Sequence, residues 1–131
     1  MTITTYSDRT APTTLPLPTG ASTSANQQPP ATTPAMDSIT IVAANTEYSK
    51  ALPANCKAFC FQTVAADKLT AGADIRYAFA TGKVNSLTLP FQILVGGAVY
   101  SKESLNLTSK TIYVAGGADA VGNIVLLEWW T

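Results

Sequence analysis

Asp67, Asp74 and Asp119 are the side chains that would supply carboxylate chemistry if the fold brought them together. Each lies beside turn or strand-end residues, where a lone aspartate ordinarily caps backbone N–H groups or stays solvated. Histidine is absent. Without it no Ser/His or Cys/His pair and no Glu-x-x-His metal motif can be built, which removes the usual triads and zinc hydrolases. The segment GGADAVGN, residues 116–123, is rich in glycine but has neither the lysine nor the following helix of a phosphate loop. Cys56 and Cys60 lie in NCKAFCF. On a strand their Cα atoms stand about 13 Å apart, at about 3.3 Å per residue, beyond the ~7 Å that a disulfide bridges. A metal would need two more soft ligands, so both read as small buried thiols. No catalytic residue, metal or cofactor is expected, and the chain reads as non-enzymatic.

Four aromatic residues are candidates for contact chemistry instead. Trp129 and Trp130 fall on opposite faces if VLLEWWT is a strand, which either sends one to the core and the other to a surface or an interface or leaves both buried within the monomer. Tyr100 and Tyr113 are possible interface residues or platforms for stacking a sugar, although single strand tyrosines ordinarily pack internally.

The elements that position these residues are strands. From Asp37 onward the hydrophobic period is two almost throughout. SITIVAA puts Ile39 and Ile41 on one face. KAFCFQTV separates Phe59 and Phe61 from Ala58 and Cys60. DIRYAFA sets Ile75, Tyr77 and Phe79 against Asp74, Arg76 and Ala78, which predicts one wet face. SLTLPFQILV predicts Leu87, Leu89, Phe91, Ile93 and Val95 inward, with Pro90 outward as on an edge or at a bulge. KTIYVAGGADAVGNIVLLEWW reads as two strands around a glycine-rich connection, and its VLL, apolar on both sides, suits a covered strand. TEYSKALPAN, from Thr46 to Asn55, fits either a helical turn or a short strand and corner. NLT at Asn106 matches a glycosylation sequon but reads as strand sequence. Short strands at this spacing predict an all-β antiparallel sandwich, jelly-roll-like, over residues 37–131.

Residues 1–36 differ in kind. Six of the eight prolines lie there with many Thr and Ser, and Asp8 and Arg9 are the only charges. Such a segment has too little apolar surface to offset its ordering entropy. Its prolines bias it toward extended geometry, so it reads as an N-terminal arm reaching up to about 110 Å at ~3.1 Å per residue. MTITTYSDRTAP has no basic start, apolar run or cleavage site, so no secretory signal is read, and no stretch is long and apolar enough for a membrane helix. Eight basic residues balance eight acidic ones and are scattered along the chain. No field exists to attract nucleic acid or an anionic bilayer. With 12% charged residues and zero formal net charge, the chain lacks the self-repulsion that separates monomers, which predicts a homo-oligomer.

The tract LPLPTGASTSANQ, residues 15–27, resembles the Leu-Pro-Thr-Gly-Ala…Ala-Asn-Gln stretch near the N-terminus of many tailed-bacteriophage virion proteins. The segments SITIVAANTEYSKALPANCKAF, DIRYAFATGK, SKESLNLTSKTIYV and GNIVLLEWWT are similar to a group of small phage structural proteins of β-sandwich type. The likeness covers nearly the whole chain and its motifs are structural; the two cysteines depart from the pattern. It implies a virion component on the capsid or at the head-to-tail junction, acting as decoration, cement or collar. It further implies capsid, portal or collar, or tail proteins as partners, location in the virion, and assembly in the host bacterial cytoplasm. Leu15, Leu17, Pro18, Gly20, Asn26 and Gln27 would be docking positions of the arm. The alternative is a carbohydrate- or receptor-binding module associated with a tail fibre.

Overall fold

The computed structural model describes residues 30–131, where the two-residue period is realised as eight strands. These are β1 (Pro34–Thr40), β2 (Tyr48–Leu52), β3 (Ala58–Val64), β4 (Ile75–Ala78), β5 (Gln92–Leu94), β6 (Val99–Lys102), β7 (Lys110–Gly116) and β8 (Ile124–Trp130). They form two four-stranded antiparallel sheets, ordered β1-β8-β3-β6 and β2-β7-β4-β5. First pairs with last, second with seventh, third with sixth and fourth with fifth. That nesting is one long antiparallel hairpin wound into two sheets, the jelly-roll form of the β-sandwich. β1 begins at Pro34, so Pro34, Ala35 and Met36 pair with β8 and the sheet takes in three residues that the expected boundary at 37 assigned to the arm.

Alternation along each strand builds the core. Phe59, Phe61 and Thr63 of β3 and Val125 and Leu127 of β8 face Leu52, Ile75, Ile112, Val114 and Leu94 of the other sheet, all buried. Each large apolar side chain removed from water stabilises the fold by about 1.5–3 kcal/mol. Ile39 and Ile41 share the inner face, and β2 resolves the Thr46–Asn55 alternatives as a strand with Tyr48 and Leu52 inward. The Tyr48 hydroxyl accepts from the backbone N–H groups of Val42 and Ala43 at 3.0 and 2.9 Å, fixing the β1–β2 corner. An ion pair between Lys50 on β2 and Asp37 on β1 joins the sheets along this edge, with the Lys50 ammonium 5.6 Å from the centre of the Trp129 ring.

Three strand readings change. The outer face of β4 is covered rather than wet, because residues 79–91 cross the second sheet and bury Val84 against Ala78 and Ala115. Arg76 Nε donates to the Val84 carbonyl at 2.8 Å and Nη2 to Asn45 Oδ1 at 2.7 Å. The Glu47 carboxylate accepts from Thr81 Oγ1 and the Gly82 N–H, pinning the far end of the crossing. Secondly, β5 is three residues long and its register is opposite to the expected one. Leu94 lies opposite Ile75 and is buried with it, whereas Ile93 lies opposite Arg76 and faces out. Directly opposed residues share a face, so this pairing sends Ile93, and Val95 after it, outward; Leu87 and Leu89 lie in the irregular segment before β5 rather than on a strand, and they are exposed as well. Pro90 does precede an edge strand. Thirdly, Asn106 stands exposed in the irregular β6–β7 connection rather than on a strand.

Candidate functional site

Five aromatic rings converge where β6 faces β4. Phe59 and Phe61 alternate along β3, Tyr100 of β6 lies opposite Phe61, and Tyr77 on β4 is followed two residues on by Phe79. The Tyr100 ring is 5.0 Å from those of Phe61 and Tyr77, 5.8 Å from Phe59 and 6.5 Å from Phe79, all tilted. Such pairs each add about 0.5–1.5 kcal/mol beyond the area they bury. Phe79 nevertheless stays 37% exposed, so the cluster ends in an open rim rather than a sealed core.

Two hollows flank that rim. One, of about 370 Å³, is lined by Tyr77, Phe79, Pro90, Phe91, Gln92 and Tyr100. The other, of about 200 Å³, lies on the far side of Phe79 and Tyr100 and is bounded by Phe59, Lys102, Leu105, Leu107 and Lys110. Phe79 and Tyr100 belong to both, forming a ridge between them. Burial pushes the Tyr77 phenol above its ordinary range, and the neighbouring Tyr100 phenol adds to this; burial does the same to Tyr100. Both therefore remain protonated donors at neutral pH. Among the described residues neither hydroxyl has a hydrogen-bond partner, and neither is sealed from solvent. The Lys102 ammonium stands 5.9 Å from the Tyr100 ring centre. Among the described residues no carboxylate lines either hollow. The arrangement suits neutral apolar groups carrying hydrogen-bond acceptors.

Of the residues singled out from sequence, Tyr100 alone reaches this site. Tyr113 is half-buried on the outer face of β7 beside the Val84 group, so the two tyrosines do not form one platform. Trp129 and Trp130 do point oppositely: Trp129 packs against the core, while Trp130 turns outward and its Nε1–H donates to Glu128 Oε1 at 2.7 Å. Leu15, Leu17, Pro18, Gly20, Asn26 and Gln27 lie outside the described residues.

The three aspartates do not form one centre. Asp67 accepts from the N–H groups of Leu69 and Thr70 and the Thr70 hydroxyl, which hold its carboxyl below the usual range. Asp74 accepts from the Gly96 N–H at 2.8 Å and shares a third hollow, of about 300 Å³, with Asp119 and Arg76. Among the described residues no group of three potential metal ligands occurs. Cys56 is fully buried and Cys60 half-buried on the outer face of β3; both thiols are free and burial pushes both upward.

Sequence reading assigns Phe91 to an inward stripe, whereas it packs partly buried beside Val84 and lines the first hollow; nor does it find the outward set at β5. Phe79 was legible as the continuation of the Tyr77 alternation beyond the last residue of β4. No family model matches the chain, and no curated protein does. Among solved structures it is similar to the solution NMR structure of a de novo designed double-stranded beta-helix. Identity is 13%, with a TM-score of 0.43 over 76% of this chain and 100% of that one; a likeness at this level carries no argument. Among the described residues no helix is long and apolar enough to cross a membrane.

Proposed function

We propose that this chain is a non-enzymatic structural subunit of a tailed-phage particle, on the capsid or at the head-to-tail junction, serving as decoration, cement or collar. The observation that supports an assembly role is the uncovered apolar strip beside edge strand β5. Leu87, Leu89, Ile93 and Val95 are 58, 72, 61 and 58% exposed on a chain with zero formal net charge. An apolar edge with free backbone N–H and C=O groups is a template for association unless a partner covers it. The assignment to a phage particle rests on the resemblance of the N-terminal tract and body segments, and the tract is the second contact. Joining two modest contacts makes the second effectively intramolecular.

Removing residues 1–29 leaves all of β1 in place and tests the role of the tract: incorporation into particles should fall sharply. Undiminished incorporation overturns it. Ile93→Lys tests the strip by sedimentation of the full chain, which should shift to smaller species.

A carbohydrate- or receptor-binding module on a tail fibre is the second reading, and the tyrosine-lined hollow at Tyr100 favours it. A glycan array probed with the full-length protein separates the two, since reproducible sugar binding is expected only of the module.

A further inference from the structure

We infer that the paired hollows at Phe79 and Tyr100 are the docking site for the Leu15–Pro18 segment, LPLP, of a neighbouring copy of this chain. The inference deepens the assembly reading and rests on it for the claim that the segment comes from a neighbour.

The chemistry of the two parts is complementary. Proline-rich segments are recognised by aromatic-lined grooves, because the ligand is apolar, low in conformational entropy and has backbone carbonyls with no internal partner. LPLP offers such carbonyls and, having two prolines, few N–H groups; from residue 10 to residue 36 the tract carries no charge at all. The hollows offer the converse: aromatic walls, the Lys102 ammonium at the rim and, among the described residues, no carboxylate and no partner for the hydroxyl donors of Tyr77 and Tyr100. In a polyproline helix residues three apart share an edge, spaced about 9 Å at ~3.1 Å per residue. Leu15 and Pro18 so spaced can straddle the Phe79–Tyr100 ridge that the two hollows share and place one side chain in each.

The tract also starts from the right end of the molecule. The Pro30 carbonyl accepts from Lys57 Nζ at 3.2 Å, and the N–H groups of Thr32 and Thr33 donate to the Thr131 carbonyl. Ala35, Trp129, Phe59 and Lys102 lie in line across the first sheet at that end. The second hollow is thus three strand spacings from β1, about 14 Å at ~4.8 Å each. About a dozen residues separate Pro18 from Pro30, a reach of roughly 37 Å when extended, enough to pass to another copy across a shared edge.

The test places a benzophenone amino acid at Leu17 in the full-length protein. Isotopically light and heavy chains are mixed, irradiated and mapped by mass spectrometry. The expected result is light–heavy cross-links to peptides containing Phe79, Phe91 or Tyr100. Light–heavy cross-links confined to other surfaces overturn the assignment of the hollows but leave the assembly reading standing. Cross-links at these peptides only within single chains overturn the neighbour as donor, and with it the assembly role of the tract. Tyr100→Phe and Tyr77→Phe keep the rings and remove the donors, so the melting temperature serves as the folding control. Each should lower the cross-link yield about two- to tenfold, the worth of one hydrogen bond; an unchanged yield from both overturns the donor role on which the assignment depends.

Discussion

Asn123→Ala is a sharp test of how the turn before β8 holds the second sheet. The side chain is 7% exposed, with Oδ1 accepting from the Ala73 N–H at 2.9 Å and Nδ2 donating to the Asp119 carbonyl at 3.4 Å. Thr63 Oγ1 donates to the Ala73 carbonyl at 3.2 Å, so residues 72–74, which lead into β4 and its Tyr77, are fixed from both sides. Truncation leaves the Ala73 N–H without its partner. A net hydrogen bond is worth about 0.5–1.5 kcal/mol and a buried orphan costs about 1–3, while the bond to Asp119 is long and adds little. The expected loss is about 2–3 kcal/mol, which lowers the melting temperature by roughly 10–20 °C for a body of this size. Urea unfolding followed by the fluorescence of Trp129 and Trp130 measures it, with an unchanged m value as the check on two-state behaviour. Asn106→Ala, at an exposed loop position, is the control and should stay within about 0.5 kcal/mol. A cost for Asn123→Ala no larger than that control refutes the reasoning.

Gly96 should tolerate no side chain, because an added Cβ would overlap the Gly72 carbonyl. Gly96→Ala is expected to cost about 3 kcal/mol or more by overpacking, against about 1 kcal/mol for Gly82→Ala, which has positive φ but open space; thermal melts rank them. Acid should destabilise the fold through Asp37, held low chiefly by the hydrogen bond from Lys50, and Asp67, held low by the N–H groups of Leu69 and Thr70. Since both carboxyls sit below their unfolded value of about 3.9, their contribution is complete above that pH and is lost as pH falls through the folded values. Asp37→Asn and Asp67→Asn should each flatten the acid limb of a stability profile taken from pH 7 to pH 2, and an unaltered limb in both contradicts the assignment. Cys60 should react slowly with a thiol reagent in the native protein and Cys56 only after unfolding, because burial raises both thiols and Cys56 is fully enclosed; equal native rates, read by peptide mapping, contradict this.

The strand β3 is legible in the sequence because its two faces differ in kind, Phe59 and Phe61 against Ala58 and Cys60; β8 is legible as a strand, but with VLL apolar on both sides only the fold decides that Trp129 and not Trp130 meets the core. The crossing segment over β4 is not legible. Arg76 reads as solvated, and only the Val84 carbonyl and the Asn45 amide, both remote in sequence, turn that face into a covered one. The hollows are half legible for a similar reason. Tyr77 and Phe79 follow one alternation, but Phe91 joins them only because the chain returns at Pro90 to pair Gln92 with Tyr77.

β5 is the most instructive case, because alternation alone cannot tell a face buried within one chain from a face to be buried between chains. Leu87, Leu89, Ile93 and Val95 have the spacing and volume of a core stripe, and a shift of one residue exchanges inside for outside. Pairing of Ile75 with Leu94 settles the register of β5 and leaves Ile93 and Val95 on the surface, where Leu87 and Leu89 of the irregular segment before the strand are exposed too. A monomer under selection for solubility would ordinarily charge or cover such an edge. Here Leu87 and Ile93 border a hollow shared with Asp74, Arg76 and Asp119, yet the apolar side chains stay exposed, and the Gly96–Gly97 turn leads from Val95 toward Val99, 56% exposed on edge strand β6. The strip is therefore at once the feature that hydrophobic period misreads and the one that argues most directly for a neighbour.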